Sequence, residues 1–207
     1  MPNELKVTSV EEKNVNDCNS IWLELLQREL TPKRLAHSLS VAQYASELAG
    51  LWGVSPKQAY QAGLLHDLMH CKSPDELLSL AEENDLEIGK TQRDNPSLLH
   101  GPVAAAVLKQ KYGFCDEDVL DAIRFHTIPD AGMDDLAKLI YLADMLEPTR
   151  PVWDGQDDLR RLLRTDLDQA MVAALIHTKE YVQQNGGIVH PATDSLIDAF
   201  AVYRKQI

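Results

Sequence analysis

The sequence has no long hydrophobic run, and this absence narrows the classes of protein to consider. No apolar stretch approaches the ~20 residues that a membrane helix needs, so a membrane protein is not expected. Residues 1–16 mix charged side chains with Asn and Ser and contain no apolar segment typical of a signal peptide. These features together favour a cytoplasmic protein that has no contact with a membrane.

Cysteine is scarce. The three cysteines, Cys18, Cys71 and Cys115, are widely spaced and form no CxxC motif. An odd number of separated cysteines does not suit a disulfide framework. We therefore expect reduced thiols, which are typical of a cytosol.

Basic side chains are outnumbered. Lys and Arg total 20 against 32 Asp and Glu, which gives a net charge of −12. A surface this acidic repels a phosphate backbone, so binding to a nucleic acid polymer is disfavoured. A small anionic substrate would need cations to shield it locally, and bound metal ions would provide that shielding. The composition leaves a homodimer open.

The polar–apolar alternation of β-strands is missing, so we expect an all-α fold. With 207 residues, of which 44% are apolar, the chain is long enough for one domain with a sizeable core. The predicted organisation is an N-terminal arm and helix over residues 1–30, with the arm at 1–16, followed by a main domain over residues 31–207.

Cap signals predict where several helices begin. Thr31, Ser55 and Ser73 each precede a proline, and Gln58 is placed to complete a capping box with Ser55. Helices are predicted over about 17–30, 32–53, 56–67, 74–84, 98–112, 117–126, 133–146, 167–184 and 194–205. Residues 85–97 are predicted to form a loop, and the acidic run Asp154, Asp157 and Asp158 a solvated loop.

Several residues of metal-ligand type stand at or near buried helix faces. His126 and Asp144 each continue an apolar stripe, and a buried carboxylate is costly unless a cation or strong hydrogen bonds compensate it. A hydrogen-bonded core histidine is the better interpretation of any one of these histidines alone. The whole set is His37, His66, Asp67, His100, His126 and Asp144.

Five short motifs around these residues, in order through about residues 30–150, resemble the HD-domain metal-dependent phosphohydrolases. The closer likeness is to the YqeK-type branch, the bacterial symmetrical bis(5'-nucleosyl)-tetraphosphatases. The motifs are KRLAHS (33–38), AGLLHD (62–67), PSLLHGPV (96–103), AIRFHT (122–127) and LIYLADMLEPTR (139–150). A further segment, IVHPAT (188–193), resembles the C-terminal part of that branch.

The resemblance implies an HD-domain helical bundle over residues 31–207 with a two-metal centre, iron first and manganese or zinc as alternatives. It implies hydrolysis of diadenosine tetraphosphate into two ADP by attack of a metal-activated water on phosphorus. In this interpretation His37, His66, Asp67 and Asp144 hold one ion, and Asp67 bridges to a second ion held by His100 and His126. Imidazole and carboxylate ligands together suit Fe, Mn or Zn better than Mg or Ca.

The same resemblance indicates residues for catalysis and substrate binding. Asp67, His70 and Arg150 are the candidate catalytic residues. Arg34, Thr127, Lys138 and Arg150 are the candidate substrate contacts, because the planar fork of an arginine matches phosphate oxygens.

The chain also departs from the family pattern. His70 stands where the family commonly has Lys, with Lys72 as a substitute cation, and the stretches 128–130 and 151–154 differ as well. These departures keep two alternatives open. One is an HD-fold phosphohydrolase that acts on another nucleotide. The other is a metal- and nucleotide-binding regulatory protein with weak or no catalysis.

Overall fold

Helices build the part of the chain that the computed structural model describes, residues 20–203, where no strand occurs. The predicted all-α class is confirmed. The α-helices are α1 (20–29), α2 (Pro32–Ala49), α3 (Pro56–Leu65), α4 (Pro74–Glu83), α5 (Lys90–Asp94), α6 (His100–Tyr112), α7 (Glu117–Phe125), α8 (Asp135–Leu146), α9 (Gln156–Thr165), α10 (Leu167–Gln184) and α11 (Pro191–Tyr203). Short 3₁₀ segments cover Gly50–Trp52 and Pro96–Leu99. None of the described helices is long and apolar enough to cross a membrane.

The predicted helix starts are confirmed at three caps. The side chains of Thr31, Ser55 and Ser73 each accept a hydrogen bond from the backbone N–H three residues further along. In each case a proline occupies the first helical position, where its missing N–H is not needed. Local chemistry therefore determines where α2, α3 and α4 begin.

The capping box predicted at Ser55 was wrong. Gln58 does not reach back to the cap, because its side-chain amide donates instead to Asp116, the N-cap residue of α7, at 3.1 Å. A full capping box forms at Ser73, whose backbone N–H donates to the Glu76 carboxylate at 2.8 Å. The Gln58 contact ties the start of α3 to the start of α7.

The predicted loops were also wrong in part. Residues 85–97 contain α5 and the first two residues of the second 3₁₀ segment. Asp157 and Asp158 lie in the first turn of α9, where carboxylates stabilise the positive end of the helix dipole. The predicted arm at 1–16 and Cys18 lie outside the described residues, and the domain boundary at residue 31 stays a prediction.

Helix α8 is the central element of the bundle and packs against α2, α3, α7 and α10. Helices α2 and α3 are packed closely together at Gly63. A Cβ atom there would stand 2.8 Å from the Ala42 Cα, so only glycine permits this separation. The close approach brings the end of α3 beside the middle of α2.

Candidate metal centre

The six ligand-type residues come together at the point where several helix ends meet α2 and α8. His37 lies on α2 and Asp144 on α8, while His66 and His126 directly follow α3 and α7. Asp67 and His66 are fully or almost fully buried, whereas His100, the first residue of α6, is partly exposed. We call these six residues the cluster.

Three of the four histidines of the cluster share one local device. His66, His100 and His126 are each the C-cap residue of the preceding helical segment. In each, Nδ1 lies 2.6–2.7 Å from the backbone carbonyl oxygen three residues back. A carbonyl oxygen only accepts, so Nδ1 carries the hydrogen and Nε2 faces the cluster.

His37 reaches the same orientation by a different contact. Its Nδ1 donates to the buried Glu147 carboxylate at 3.0 Å, and its Nε2 faces the cluster. Glu147 also accepts hydrogen bonds from the Ser40 hydroxyl at 2.6 Å and from the backbone and hydroxyl of Thr149. These three further donors fix the carboxylate, and the carboxylate in turn fixes the His37 ring.

Asp67 lies between two sets of ligand atoms and presents one oxygen to each. Its Oδ2 lies 3.7 Å from His37 Nε2 and 3.2 Å from His66 Nε2. Its Oδ1 lies 3.2 Å from His100 Nε2 and 3.9 Å from His126 Nε2.

The cluster thus divides into two halves that share Asp67. The acidic half is formed by His37, His66, Asp144 and Asp67 Oδ2, with Asp144 Oδ1 at 2.8 Å from His37 Nε2. The histidine half is formed by His100, His126 and Asp67 Oδ1. Within the part of the chain that the structure describes, two groups that could hold a metal ion emerge, one in each half.

The residues fit metal ions in both halves. In the acidic half, His66 Nε2 is buried and has no hydrogen-bond partner in the protein. In the histidine half, the Nε2 atoms of His100 and His126 face each other at 3.0 Å, although each ring already carries its hydrogen on Nδ1. Nitrogen ligands at about 2.0–2.1 Å from one ion lie about 3–3.4 Å apart, so a shared cation matches this spacing.

Electrostatics distinguish the two halves. Burial lowers the pKa of His66, but the carboxylates of Asp67 and Asp144 outweigh it and raise that pKa to about 10. Burial and the neighbouring His66 and His100 lower the pKa of His126 to about 3. The acidic half therefore attracts positive charge, whereas His126 offers a neutral imidazole, the form that binds metals.

Both carboxylates of the cluster are ionised. Burial alone would raise the pKa of Asp67, but the charge of His66 and the adjacent imidazole of His100 hold it well below its ordinary value. The contact with His37, together with the charges of His66 and Arg150, likewise overcomes burial and holds the pKa of Asp144 low. Ionised carboxylates can bind a metal without losing a proton.

Gly101 allows the two histidines of the histidine half to meet. A Cβ atom at Gly101 would stand 2.8 Å from Thr127 Oγ1 and 2.9 Å from the Ile123 carbonyl oxygen. The start of α6 therefore packs directly on the end of α7, which places His100 beside His126. The Thr127 hydroxyl also donates to the Leu98 carbonyl at 2.8 Å across the same junction.

A basic cavity of about 650 Å³ opens on the acidic half. Lys33, Arg34, His70 and Arg150 line it, together with His37 from the cluster. Arg34 Nη1 donates to Asp67 Oδ2 at 2.8 Å, and Arg150 Nη2 donates to Asp144 Oδ1 at 2.5 Å. The two arginines therefore touch both the ligand carboxylates and the cavity.

A second cavity, of about 530 Å³, opens beside His126 and Asp144. Its far wall carries Trp153, His177 and Tyr181, and we call it the aromatic cavity. Arg150 and Pro151 line both cavities, so the two openings adjoin at this point on the surface. Among the residues of the cluster, His37 lines the basic cavity, and His126 and Asp144 line the aromatic cavity.

The predicted catalytic residue His70 and the other predicted substrate contacts occupy different places. His70 lies in the basic cavity with its ring 5.1 Å from that of His100, and Thr127 lies in the aromatic cavity. Lys138 pairs with Asp135 and with Asp168, so its role in binding substrate stays a prediction. Lys72 was a wrong choice of substitute for the missing family lysine, because it pairs with Glu29 at 2.9 Å outside both cavities.

Comparison with known proteins identifies the family. The family profile described as HD domain matches residues 34–149, more than half of the chain and a span that includes the whole cluster. This chain belongs to the HD domain family. The predicted resemblance is confirmed at this level.

Several relatives share most of the length of this HD domain chain. It is 34% identical to the Bacillus subtilis protein named symmetrical bis(5'-nucleosyl)-tetraphosphatase over 83% of this chain and 91% of the relative. A protein of the same name from Halalkalibacterium halodurans is 33% identical over 83% and 90%. Among solved structures, one titled a predicted HD superfamily hydrolase involved in NAD metabolism, from Clostridium acetobutylicum, superposes with a TM-score of 0.85. It is 32% identical and covers 89% of this chain and 97% of its own.

Sequence reasoning left some residues of this HD domain site unassigned. No sequence motif assigned Trp153 or His177 to this site, yet their rings stack in the aromatic cavity with centroids 3.8 Å apart. Glu147, the C-cap residue of α8, follows Asp144 by three positions, a spacing that favours one face of a helix, and this spacing was the available signal for its contact with His37. No comparable signal links Trp153 to His177.

Proposed function

We propose that this chain is a metal-dependent hydrolase that splits diadenosine tetraphosphate symmetrically into two ADP. The observation that carries the proposal is the position of Asp67, which presents one oxygen to each half of a cluster whose other residues line two cavities. A substrate with a nucleoside at each end and phosphates in the middle matches a two-ion centre with two adjoining cavities beside it. The relatives named symmetrical bis(5'-nucleosyl)-tetraphosphatase support the same substrate class.

The cluster residues are proposed as the ligands of two ions. His37, His66, Asp67 and Asp144 would hold one ion, and His100, His126 and the second oxygen of Asp67 would hold the other. When bound, such ions polarise a phosphoryl oxygen and activate a water for attack on phosphorus. The mixed nitrogen and oxygen donors suit iron, manganese or zinc, and iron is proposed first because the family resemblance implies it.

The side chains around the cluster would position the phosphates. Arg34 and Arg150 stand at the cluster and face the basic cavity, where their guanidinium groups can bind phosphate oxygens in pairs. Burial lowers the pKa of His70, so this residue is neutral at pH 7 and contributes hydrogen bonding without a fixed charge. Arg34, Arg150 and Lys33 would provide the positive charge that the family lysine otherwise adds in this cavity.

The product pattern tests the proposal. Iron-loaded protein incubated with diadenosine tetraphosphate in water enriched in ¹⁸O should release ADP as the sole nucleotide, with label in one of every two ADP molecules. Asp67→Ala should abolish the release, whereas the surface variant Asp157→Ala should behave as the parent protein does. AMP with ATP as products would exclude symmetrical cleavage.

The same assay discriminates the alternatives. Turnover of another nucleotide, but not of diadenosine tetraphosphate, would keep the hydrolase and change its substrate. Tight nucleotide binding without turnover by iron-, manganese- or zinc-loaded protein would favour the regulatory interpretation that the His70 position raised. A cytosolic location remains part of the proposal and is supported by the exposed free thiols of Cys71 and Cys115.

A further inference from the structure

The two cavities beside the cluster differ in chemistry. Apart from histidines, the lining of the basic cavity has no aromatic ring, and it includes Lys33, Arg34 and Arg150. The aromatic cavity combines one cationic side chain, Arg150, with the rings of Trp153, Tyr181 and Tyr141. A ligand with a planar apolar end is therefore matched by one cavity and not by the other.

In the aromatic cavity, His177 supports the flat ring of Trp153. Their rings are stacked with centroids 3.8 Å apart and planes inclined by 25°. His177 belongs to α10, whereas Trp153 follows Arg150 in the segment that leads into α9. The stack therefore holds the indole against a regular helix and limits its rotation.

Exposed apolar side chains concentrate in and beside the aromatic cavity. Large hydrophobic residues with high exposure are few among the described residues, and three of them are Val152 at 84%, Tyr181 at 62% and Ile188 at 63%. Val152 and Tyr181 line the aromatic cavity, while Tyr181 and Ile188 line an adjoining cavity of about 240 Å³. A concentration of exposed apolar surface beside a polar centre is typical of a ligand site.

The aromatic cavity also has the size and the polar end that a nucleotide requires. Its 530 Å³ lies within the range of about 300–1,000 Å³ that small-molecule sites occupy. Asp144 and His126 of the cluster stand at one end, and Arg150 stands beside them. Phosphates at the cluster would therefore leave the attached base directed toward Trp153.

We propose that Trp153 and Tyr181 form the base-binding wall for one nucleoside half of the substrate, so that the two halves are recognised by different chemistry. This inference rests on the proposed function. A purine would stack on the aromatic wall, and the other half would be held mainly through its phosphates and ribose in the basic cavity. Trp153 is then a specificity-determining residue, while the reacting phosphorus lies at the cluster.

A pair of ligands that differ only in the base tests this inference. AMP and ribose 5-phosphate carry the same phosphate and sugar, so the ratio of their calorimetric affinities measures the contribution of the base. Stacking of one base on an aromatic side chain corresponds to an affinity gain of about 5- to 150-fold. Trp153→Ala should remove most of that ratio, Trp153→Phe should retain most of it, and ribose 5-phosphate should bind equally to all three proteins.

Two further variants separate a direct contact from a structural effect. Tyr181→Ala changes an exposed side chain and should also lower the AMP affinity and raise KM for diadenosine tetraphosphate with little change in kcat. Quenching of tryptophan fluorescence by AMP should disappear in Trp153→Phe. It should persist in Trp22→Phe, because Trp22 packs on Tyr112 and Phe114 outside the aromatic cavity.

The outcomes distinguish this inference from the proposed function. Unchanged AMP affinity in both Trp153→Ala and Tyr181→Ala would overturn the base-binding wall, even if the protein releases ADP from diadenosine tetraphosphate. If the parent protein fails to release ADP while the base still contributes through Trp153, the wall stands and the substrate assignment fails.

Discussion

The two halves of the cluster use the same donor atoms in different electrostatic settings. The acidic half has two histidines and two carboxylates, with Arg34 and Arg150 bound to those carboxylates. The histidine half has two imidazoles and, among the residues that the structure describes, only the shared oxygen of Asp67. Ligand charge governs the affinity for a divalent ion. We therefore expect the acidic half to hold its ion more tightly.

Substituting Asp67, the residue that both halves share, should abolish the difference in metal affinity, because neither half would then hold its ion. We expect Asp67→Ala to lose both ions and to lower kcat/KM by more than about a thousandfold, since two-ion chemistry contributes several kcal/mol to the transition state. Elemental analysis of protein purified without oxygen measures the metal content. Full occupancy in this variant would contradict the bridging position of Asp67.

Removing a ligand from one half at a time should reveal the difference in metal affinity between the two halves. His37→Ala and His100→Ala should each retain about one ion per chain, and the ion left in His100→Ala should bind more tightly. Without metal, His37→Ala should also be less stable by about 1–3 kcal/mol, because Glu147 loses a buried hydrogen bond. His100 is partly exposed, so its removal should cost less in urea unfolding. Equal affinities of the two remaining ions would remove the basis of the comparison.

Weakening the hydrogen bond that orients His37 should lower metal affinity only in the acidic half. Glu147→Gln keeps the size of the side chain but removes the charge that orients His37, and such changes typically lower metal affinity about 10- to 100-fold. Ser40→Ala removes one donor to the same carboxylate and should have a smaller effect in the same direction. Metal titration of both variants measures this, and a loss of affinity in the histidine half would show that Glu147 acts more widely.

A change of one pH unit should affect the metal affinity of the two halves differently. Without metal, His66 is protonated at pH 7.5 because its pKa is about 10, so an ion entering the acidic half must displace one proton. Affinity for that ion should fall about tenfold for each pH unit below 10. His126, with a pKa of about 3, is already neutral and releases none. Calorimetry of His100→Ala in buffers of different ionisation enthalpy counts the protons.

Much of the fold followed from local signals. The caps at Thr31, Ser55 and Ser73 were predicted because a hydroxyl before a proline acts within one turn of helix. Helix α9 was missed because the acidic residues of its first turn were taken for a loop, although Leu159 and Leu163 behind them are buried. Charge patterns near a helix start have two interpretations until the packing of the following turn is known.

The cluster was predictable as a set of residues, but its orientation was not. The motif order brought His37, His66 and His126 together, yet it contains no information on which ring nitrogen faces inward. The orientation of each ring depends on a backbone carbonyl in the last turn of α3 or α7, and the position of that carbonyl is known only once the end of the helix is known. The aromatic cavity was unpredictable for a related reason, since Trp153 and His177 are brought together by the packing of the segment after α8 against α10.

The anchors of the four histidines differ in how far they reach along the chain. For His66, His100 and His126 the anchoring carbonyl is three residues away, whereas His37 is anchored by Glu147, 110 residues distant. Three imidazoles can thus be oriented as soon as their own helices form, at little loop-closure entropy. The fourth waits for the long-range contact of α2 with α8, which is the slower kind of event. The acidic half is therefore complete only after α2 and α8 have packed together.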